Sequence, residues 1–251
     1  MLTMILGFQW AVAAKEVREE FHRAYPLSES GKVNLDNVNG SIHISTWERN
    51  EVKVDAVKIA AKQERLAEIE IQVDASTTNK LSIKTKYPKE HKQWGWFNRN
   101  ANGRVEYTLT VPRGVCLDRI SSVNSEIEIE GPVSETHVST VNGRVKAHRL
   151  AGKAQLSTVN GSLEVVMDQV IEGREVTMDT VNGLLSLTLP EKANADLSAH
   201  TVNGSIHTDF KLTVHKNFPI SSSLDGQLGT GGAHLRLNTV NGSITVHSAA
   251  Q

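Results

Sequence analysis

Thr140-Val141-Asn142-Gly143-Arg144-Val145-Lys146-Ala147 is answered eighteen residues later by Thr158-Val159-Asn160-Gly161-Ser162-Leu163-Glu164-Val165. The same Val-Asn-Gly triplet stands at 38–40, 181–183, 202–204 and 240–242. Val123-Asn124-Ser125 is a seventh copy, with serine in the place of glycine. From Asn to Asn along the chain the steps are 85, 18, 18, 22, 21 and 38 residues, the last close to two periods of 19. A period near 20 residues is that of stacked β-coils, in which each repeat buries its apolar face only against its neighbours.

Alignment on the Asn assigns each column a role. The residue before Asn is always Val, and the one before that is Thr in five copies, Asn37 and Ser122 in the others. Three residues after Asn stands a branched aliphatic side chain: Ile42, Ile127, Val145, Leu163, Leu185, Ile206 or Ile244. Five after, the column is again mostly apolar, with Thr208 the exception, while two and four after are mostly polar. Alternation with period two means a strand with one buried face, and branched side chains suit a pleated surface.

Asn39, Asn142, Asn160, Asn182, Asn203 and Asn241 are therefore read as structural turn residues, because Asn-Gly accepts the backbone angles of a sharp bend. Each repeat also carries a second turn signal, at Gly131-Pro132, Gly152, Gly173 and Pro190-Glu191-Lys192. Hairpins with Asn-Gly tips and coils with Asn-Gly corners both satisfy this local pattern. The constant columns favour coils, because stacking at about 4.8 Å would set like residues over one another and join the Asn amides in a ladder. Glu128, Lys146 and Glu164 in the outward column would then put opposite charges on adjacent rungs.

The expected fold is thus all-β, a single-stranded, β-helix-like β-solenoid with coils of about 20 residues. A charged run from Ala60 to Ala67 adds one short helix in its N-terminal half. The net charge of −1 gives no footprint for nucleic acid. The single cysteine, Cys116, lies in an apolar run and is expected to be a buried small hydrophobe. Leu2 to Val12 is largely apolar and ends in Ala11-Val12-Ala13, too short for the roughly 20 residues of a membrane span. It fits the apolar part of a secretory signal peptide, cleaved after Ala13 or Ala14. No Lys or Arg precedes it, and a buried N-terminal strand is the other reading. Residues 15–25 would be an N-terminal extension and 26–251 one domain. The expected location is periplasmic or extracellular, with no transmembrane segment.

Chemistry is sparse. Asp36 and Asp179 share a column but fall many coils apart, and Glu126, Glu128 and Glu130 face Arg144 and Lys146, which would neutralise them. Glycoside cleavage needs two carboxyl groups roughly 5–10 Å apart. The histidines, His43 and His207 among them, show no metal-ligand spacing, and Gly226 to Gly232 lacks the Lys and helix of a phosphate loop. No catalytic, cofactor or metal site is expected. One stretch rises above the scaffold: Lys92, Trp94, Trp96, Phe97 and Arg99 lie between two strands in a chain only 5% aromatic. Aromatic platforms beside polar groups stack on sugars and form protein hot spots; rings folded back over an end of the stack would have the same composition.

The order of these features resembles the bacterial "putative adhesin" family of β-strand-repeat proteins, a domain of unknown function. Val38-Asn39-Gly40-Ser41-Ile42 with Trp47, the helix near Gln63-Glu64, Thr110-Val111-Pro112-Arg113-Gly114 and the Val-Asn-Gly ladder carry the resemblance. So does the ending from Gly226-Gln227-Leu228-Gly229 to Asn241-Gly242-Ser243-Ile244. The resemblance implies an exported β-solenoid and brings no binding residues with it. The expected role is a non-catalytic adhesin-like binding or structural scaffold at the cell envelope, whose partner is a protein or a glycan. A carbohydrate-active β-helix enzyme and an envelope regulatory module that binds another protein are the alternatives.

Overall fold

A computed structural model describes residues 16–87, 103–150, 152–217 and 221–249. In chain order the elements are β1 (Val17–Pro26), β2 (Lys32–Asp36), β3 (Ile42–Trp47), β4 (Glu51–Ala60), α1 (Gln63–Glu68), β5 (Glu70–Thr77), β6 (Lys80–Lys86) and β7 (Arg104–Pro112). The dense repeats follow as β8 (Cys116–Ser121), β9 (Ile127–Glu130), β10 (Glu135–Asn142), β11 (Val145–His148), β12 (Lys153–Asn160), β13 (Leu163–Val166), β14 (Glu175–Asn182) and β15 (Leu185–Pro190). The chain ends with β16 (Ala195–Asn203), β17 (Ile206–Thr208), β18 (His215–Asn217), β19 (Ser221–Leu228), β20 (Ala233–Asn241) and β21 (Ile244–Ala249).

Each Val-Asn-Gly corner joins a strand of one sheet to a strand of the other. The repeats therefore stack as two-strand rungs rather than as splayed hairpins. One sheet has the order β1-β4-β7-β3-β9-β11-β13-β15-β21-β17, the other β18-β19-β16-β20-β14-β12-β10-β8-β2-β6-β5. Adjacent rungs pair in parallel and in register, with Val138 beside Leu156, Thr140 beside Thr158, and Val145, Leu163 and Leu185 in one row. The inward columns of the two sheets meet as the core. Val145, Leu163, Leu156, Leu187 and Met178 are wholly buried, and Tyr107 of β7 belongs to the same core. Burial pushes the Tyr107 hydroxyl up to about 12, and it hydrogen-bonds Thr85 at 2.8 Å.

The rungs do not stack in chain order. The C-terminal rung, β20 and β21, lies between β14–β15 and β16–β17. The first rung, β2 and β3, is likewise flanked by β6 and β7 on one side and by β8 and β9 on the other. The step of 38 residues between Asn203 and Asn241 is thus not two turns of one coil. β18 and β19 occupy it and extend the sheet beyond β16, β19 running antiparallel to β16 and β18 antiparallel to β19. At the other end β1 and β4 add antiparallel strands, and α1 buries Leu66 against them. The stretch 15–25, expected as an extension outside the domain, instead contributes most of β1 to the sheet, and the expected helix forms over six residues.

The outward charges keep the expected register but not the expected contacts. Lys146 stands between Glu128 and Glu164, yet its ammonium reaches Glu126 at 3.4 Å, and Glu128 is met by His43 at 3.4 Å. Arg144 donates to Ser162 at 3.1 Å instead of to a carboxylate. A long side chain follows the nearest accessible acceptor, and exposed pairs differ by too little energy to enforce the row. Leu163→Ala should cost about 2–4 kcal/mol and Lys146→Ala less than about 0.5 kcal/mol, measured by urea unfolding. Equal losses would mean that the faces are assigned wrongly.

Candidate binding edge

The line of Val-Asn-Gly corners forms one continuous edge. Asn124 donates its side-chain amide to Asn39 at 2.7 Å, Asn142 to Asn124 at 2.9 Å, and Asn160 to Asn142 at 3.0 Å. Asn182 donates to Asn160 at 2.9 Å, Asn241 to Asn182 at 2.8 Å, and Asn203 to Asn241 at 2.8 Å. All seven amides thus join in one exposed ladder. Its neighbours in space include Asn39 and Asn124, which are 85 residues apart in the chain.

The glycines have a different reason from the one the bend suggests. Gly40 does sit at φ 110°. Gly161 and Gly183 do not occupy the left-handed region, yet a Cβ on Gly183 would overlap the carbonyl oxygen of Gly161, and one on Gly161 that of Gly143. Close approach of successive backbones, not the bend, excludes a side chain there. Ser125, the one non-glycine in the column, turns its hydroxyl inward to Ser122. Beneath the corners the Thr column is buried, and Thr158, Thr180 and Thr201 donate to glycine carbonyls at 3.5, 3.4 and 2.9 Å.

The Val column faces outward. Val123, Val141, Val159, Val181 and Val240 are each 37–41% exposed, and Leu184 beside them is 59% exposed. Val38 and Val202, in the same column, are half-buried, so no member of it is a core position. The column makes a narrow apolar stripe beside the amide ladder, spaced at about 4.8 Å per rung.

The Trp-rich stretch with Lys92, Trp94, Trp96, Phe97 and Arg99 lies outside the described residues, but its two roots are placed. β6 runs parallel to β2 and β7 parallel to β3, so Tyr87 and Gly103 stand where β2 and β3 meet their own corner at Asn39. The Tyr87 hydroxyl donates to the Asn39 carbonyl at 2.9 Å and to the Asn37 side chain at 3.1 Å. Burial raises its pKa well above the ordinary phenol value. Asn37 donates in turn to the Val105 carbonyl at 2.9 Å. A cleft of about 720 Å³ opens here, lined by Asn39, Gly40, Ile59, Gly103 and Arg104 among others.

A second groove, about 540 Å³, lies on the outer face of the eleven-stranded sheet near its C-terminal end. Glu175, His234 and Asp196 form one row of it, and Arg236, Ser198 and Asp225 the next. Sequence reading missed this groove, because its walls come from four strands that only the out-of-order rung brings together. Asp36 and Asp179 are separated by β8, β10 and β12; Asp36 pairs with Arg119 at 2.6 Å, and Asp179 accepts from Asn238 at 2.9 Å. Among the described residues no cluster of His, Cys, Asp or Glu could hold a metal, and no helix is long and apolar enough to cross a membrane. Cys116 is buried, and desolvation pushes its thiol up. Gly229 to Gly232 form a turn before β20, tied down where Thr230 N–H donates to Asn194 at 3.0 Å.

Among solved structures, the chain is similar to a "putative cell adhesion protein" from Clostridium sporogenes. The two are 15% identical, with 94% of this chain and 100% of the other covered, at a TM-score of 0.52. It is also similar to a "putative adhesin" from Bacteroides fragilis, 14% identical over 91% of this chain and 97% of the other, at a TM-score of 0.44. The first likeness bears on the fold alone. No curated protein matches the sequence. The family model described as Toastrack DUF4097 matches residues 29–247, nearly the whole of the repeat and both of its ends. With every Val-Asn-Gly corner and the strands of its rungs inside that match, and only β1 lying wholly before it, the chain belongs to the Toastrack DUF4097 family.

Proposed function

We propose that this chain is a non-catalytic binding module, exported to the periplasm or the cell exterior, whose rungs form a β-solenoid scaffold for an adhesin-like edge. Residues 1–14 would be its signal peptide, and 26–251, joined by the β1 residues of the preceding extension, its single domain. The observation that carries the reading is the exposed Val stripe beside the amide ladder, running to the roots of the Trp-rich loop. A rigid edge of that kind presents apolar contact and hydrogen-bonding groups at a regular spacing, with little ordering cost on binding. Lys92, Trp94, Trp96, Phe97 and Arg99 would supply the anchor, the rings stacking on a sugar or seating in a protein pocket.

A glycan array probed with the full chain tests this, with Trp94→Ala, Trp96→Ala as the comparison. Stacking is worth roughly 1–3 kcal/mol per ring, so the double variant should lose binding while its thermal midpoint stays nearly unchanged. A variant that melts several degrees earlier and still binds would make the rings a structural cover. The groove with Asp196 and Asp225 on neighbouring strands favours a second reading, a carbohydrate-active enzyme. Release of new reducing ends from an arrayed glycan, abolished in Asp225→Asn, would decide for it.

A further inference from the structure

We propose that the free edge of β1 pairs with β1 of a second copy of this chain, antiparallel and centred on Phe21, joining two ten-stranded sheets across a two-fold axis. β1 is the last strand of its sheet and pairs with β4 over all ten of its residues. Among the described residues nothing pairs with its other side. A long, regular edge strand presents a row of open N–H and C=O groups, and proteins protect such edges with charge, bulges or Pro. β1 has no bulge, and its one Pro is at its end. It does carry charge, and the order of those charges points to a partner.

Residues directly opposite in an antiparallel pair share a face, so two copies of β1 can meet only in registers that keep inward residues beside inward ones. Centred on Phe21, the register sets Glu19 against Arg23, Glu20 against His22, Val17 against Tyr25 and Phe21 against itself. Both charge pairs occur twice by symmetry. The next allowed registers fail. Centred on Glu20, the strand opposes Glu20 to Glu20 and Arg18 to His22; centred on His22, it opposes His22 to itself and Glu19 to Tyr25. The charges thus exclude misregistered pairing while matching one self-pairing.

The surroundings support the pairs. Arg23 makes no ion pair among the described residues and lies over the Phe21 ring at 5.3 Å, on the face that also carries Glu19. The His22 ring lies between Asp55 at 2.7 Å and Glu20 at 3.1 Å, which favours its cationic form. A dimer of this kind is independent of what the ladder edge binds, and it would offer two such edges to one target.

Sedimentation equilibrium of the full chain over a concentration series tests it. The wild type should dimerise reversibly. Arg23→Glu should raise the dimer Kd by about tenfold or more, since two attractions become repulsions, with its circular dichroism unchanged. The double variant Glu19→Arg, Arg23→Glu should recover most of the loss. Phe21→Cys in a Cys116→Ala background should form a symmetric disulfide on mild oxidation. A monomer at every concentration overturns the proposal, as does a dimer indifferent to Arg23→Glu that gives no Phe21→Cys cross-link.

Discussion

Gly183→Ala is expected to destabilise the protein by at least about 3 kcal/mol, and Gly173→Ala by only about 1 kcal/mol. The ranking is the reverse of what backbone angles alone would give. Gly173 lies at φ 73°, where a Cβ is strained, but nothing stands within 4 Å of the place it would take. Gly183 is not in the left-handed region, yet its Cβ would be driven into the carbonyl of Gly161 one rung away. Room could be made only by parting the rungs. That would stretch the Asn182–Asn160 amide bond, now 2.9 Å, and the Gly161 N–H bond to the Asn182 carbonyl, now 3.0 Å. It would also loosen Leu163 from Leu185 in the core. Both substitutions stiffen the unfolded chain alike, so their difference isolates the native state. Urea unfolding of the two variants measures it; a costlier Gly173→Ala would mean that bending, not close approach, selects glycine in this column.

Ending the chain at Gly232 should do far more than shorten the stack. In a stack built in chain order, the loss of the last rung exposes the one before it and little else. Here the lost strands lie one rung in from the end. They carry Ala233, Leu235, Leu237, Ile244 and Val246, all buried, and among the described residues they are the strands through which β16 and β17 pair with β14 and β15. The orphaned rung could slide into the gap. It would bring Ala199 to the place of Leu237, a core Leu-to-Ala change worth about 2–5 kcal/mol. Hydrogen exchange on the truncated chain should therefore find the amides of Ala195–Asn203 and Ser221–Leu228 unprotected while those of β10 and β12 stay protected. Full protection of β16 would show that it re-docks on β14 without loss.

The columns were legible because each has its own physical demand: branched aliphatic residues inward, Asn at the exposed corner, glycine where backbones nearly touch. That is why Asn142, Asn160 and Asn182 could be stacked from sequence alone. The order of the rungs was not legible, for the same reason. When every rung presents the same columns, Asn241 fits as well after Asn203 as between Asn182 and Asn203, and only packing at the ends chooses. The groove at Asp196, Asp225 and Arg236 was hidden with it. The Val column was visible as a constant, but its exposure was not, because an apolar residue next to a turn has no period by which to assign it a face. The Trp-rich stretch stood out by composition, and its roots beside Asn39 follow from Tyr87 and Val105 rather than from any repeat.

The amide ladder also has a direction. In each of its six links the N–H₂ group points toward the N-terminal rung and the carbonyl toward Asn203. Backbone dipoles in a sheet largely cancel, but these side-chain dipoles add, and each polarises the next. The edge is therefore not the same read forwards and backwards: an extended polymer laid along it meets donors leading in one sense and acceptors leading in the other. A glycan or peptide with distinct ends would be held in one orientation, so the edge distinguishes a chain from its reverse before any single residue has been recognised.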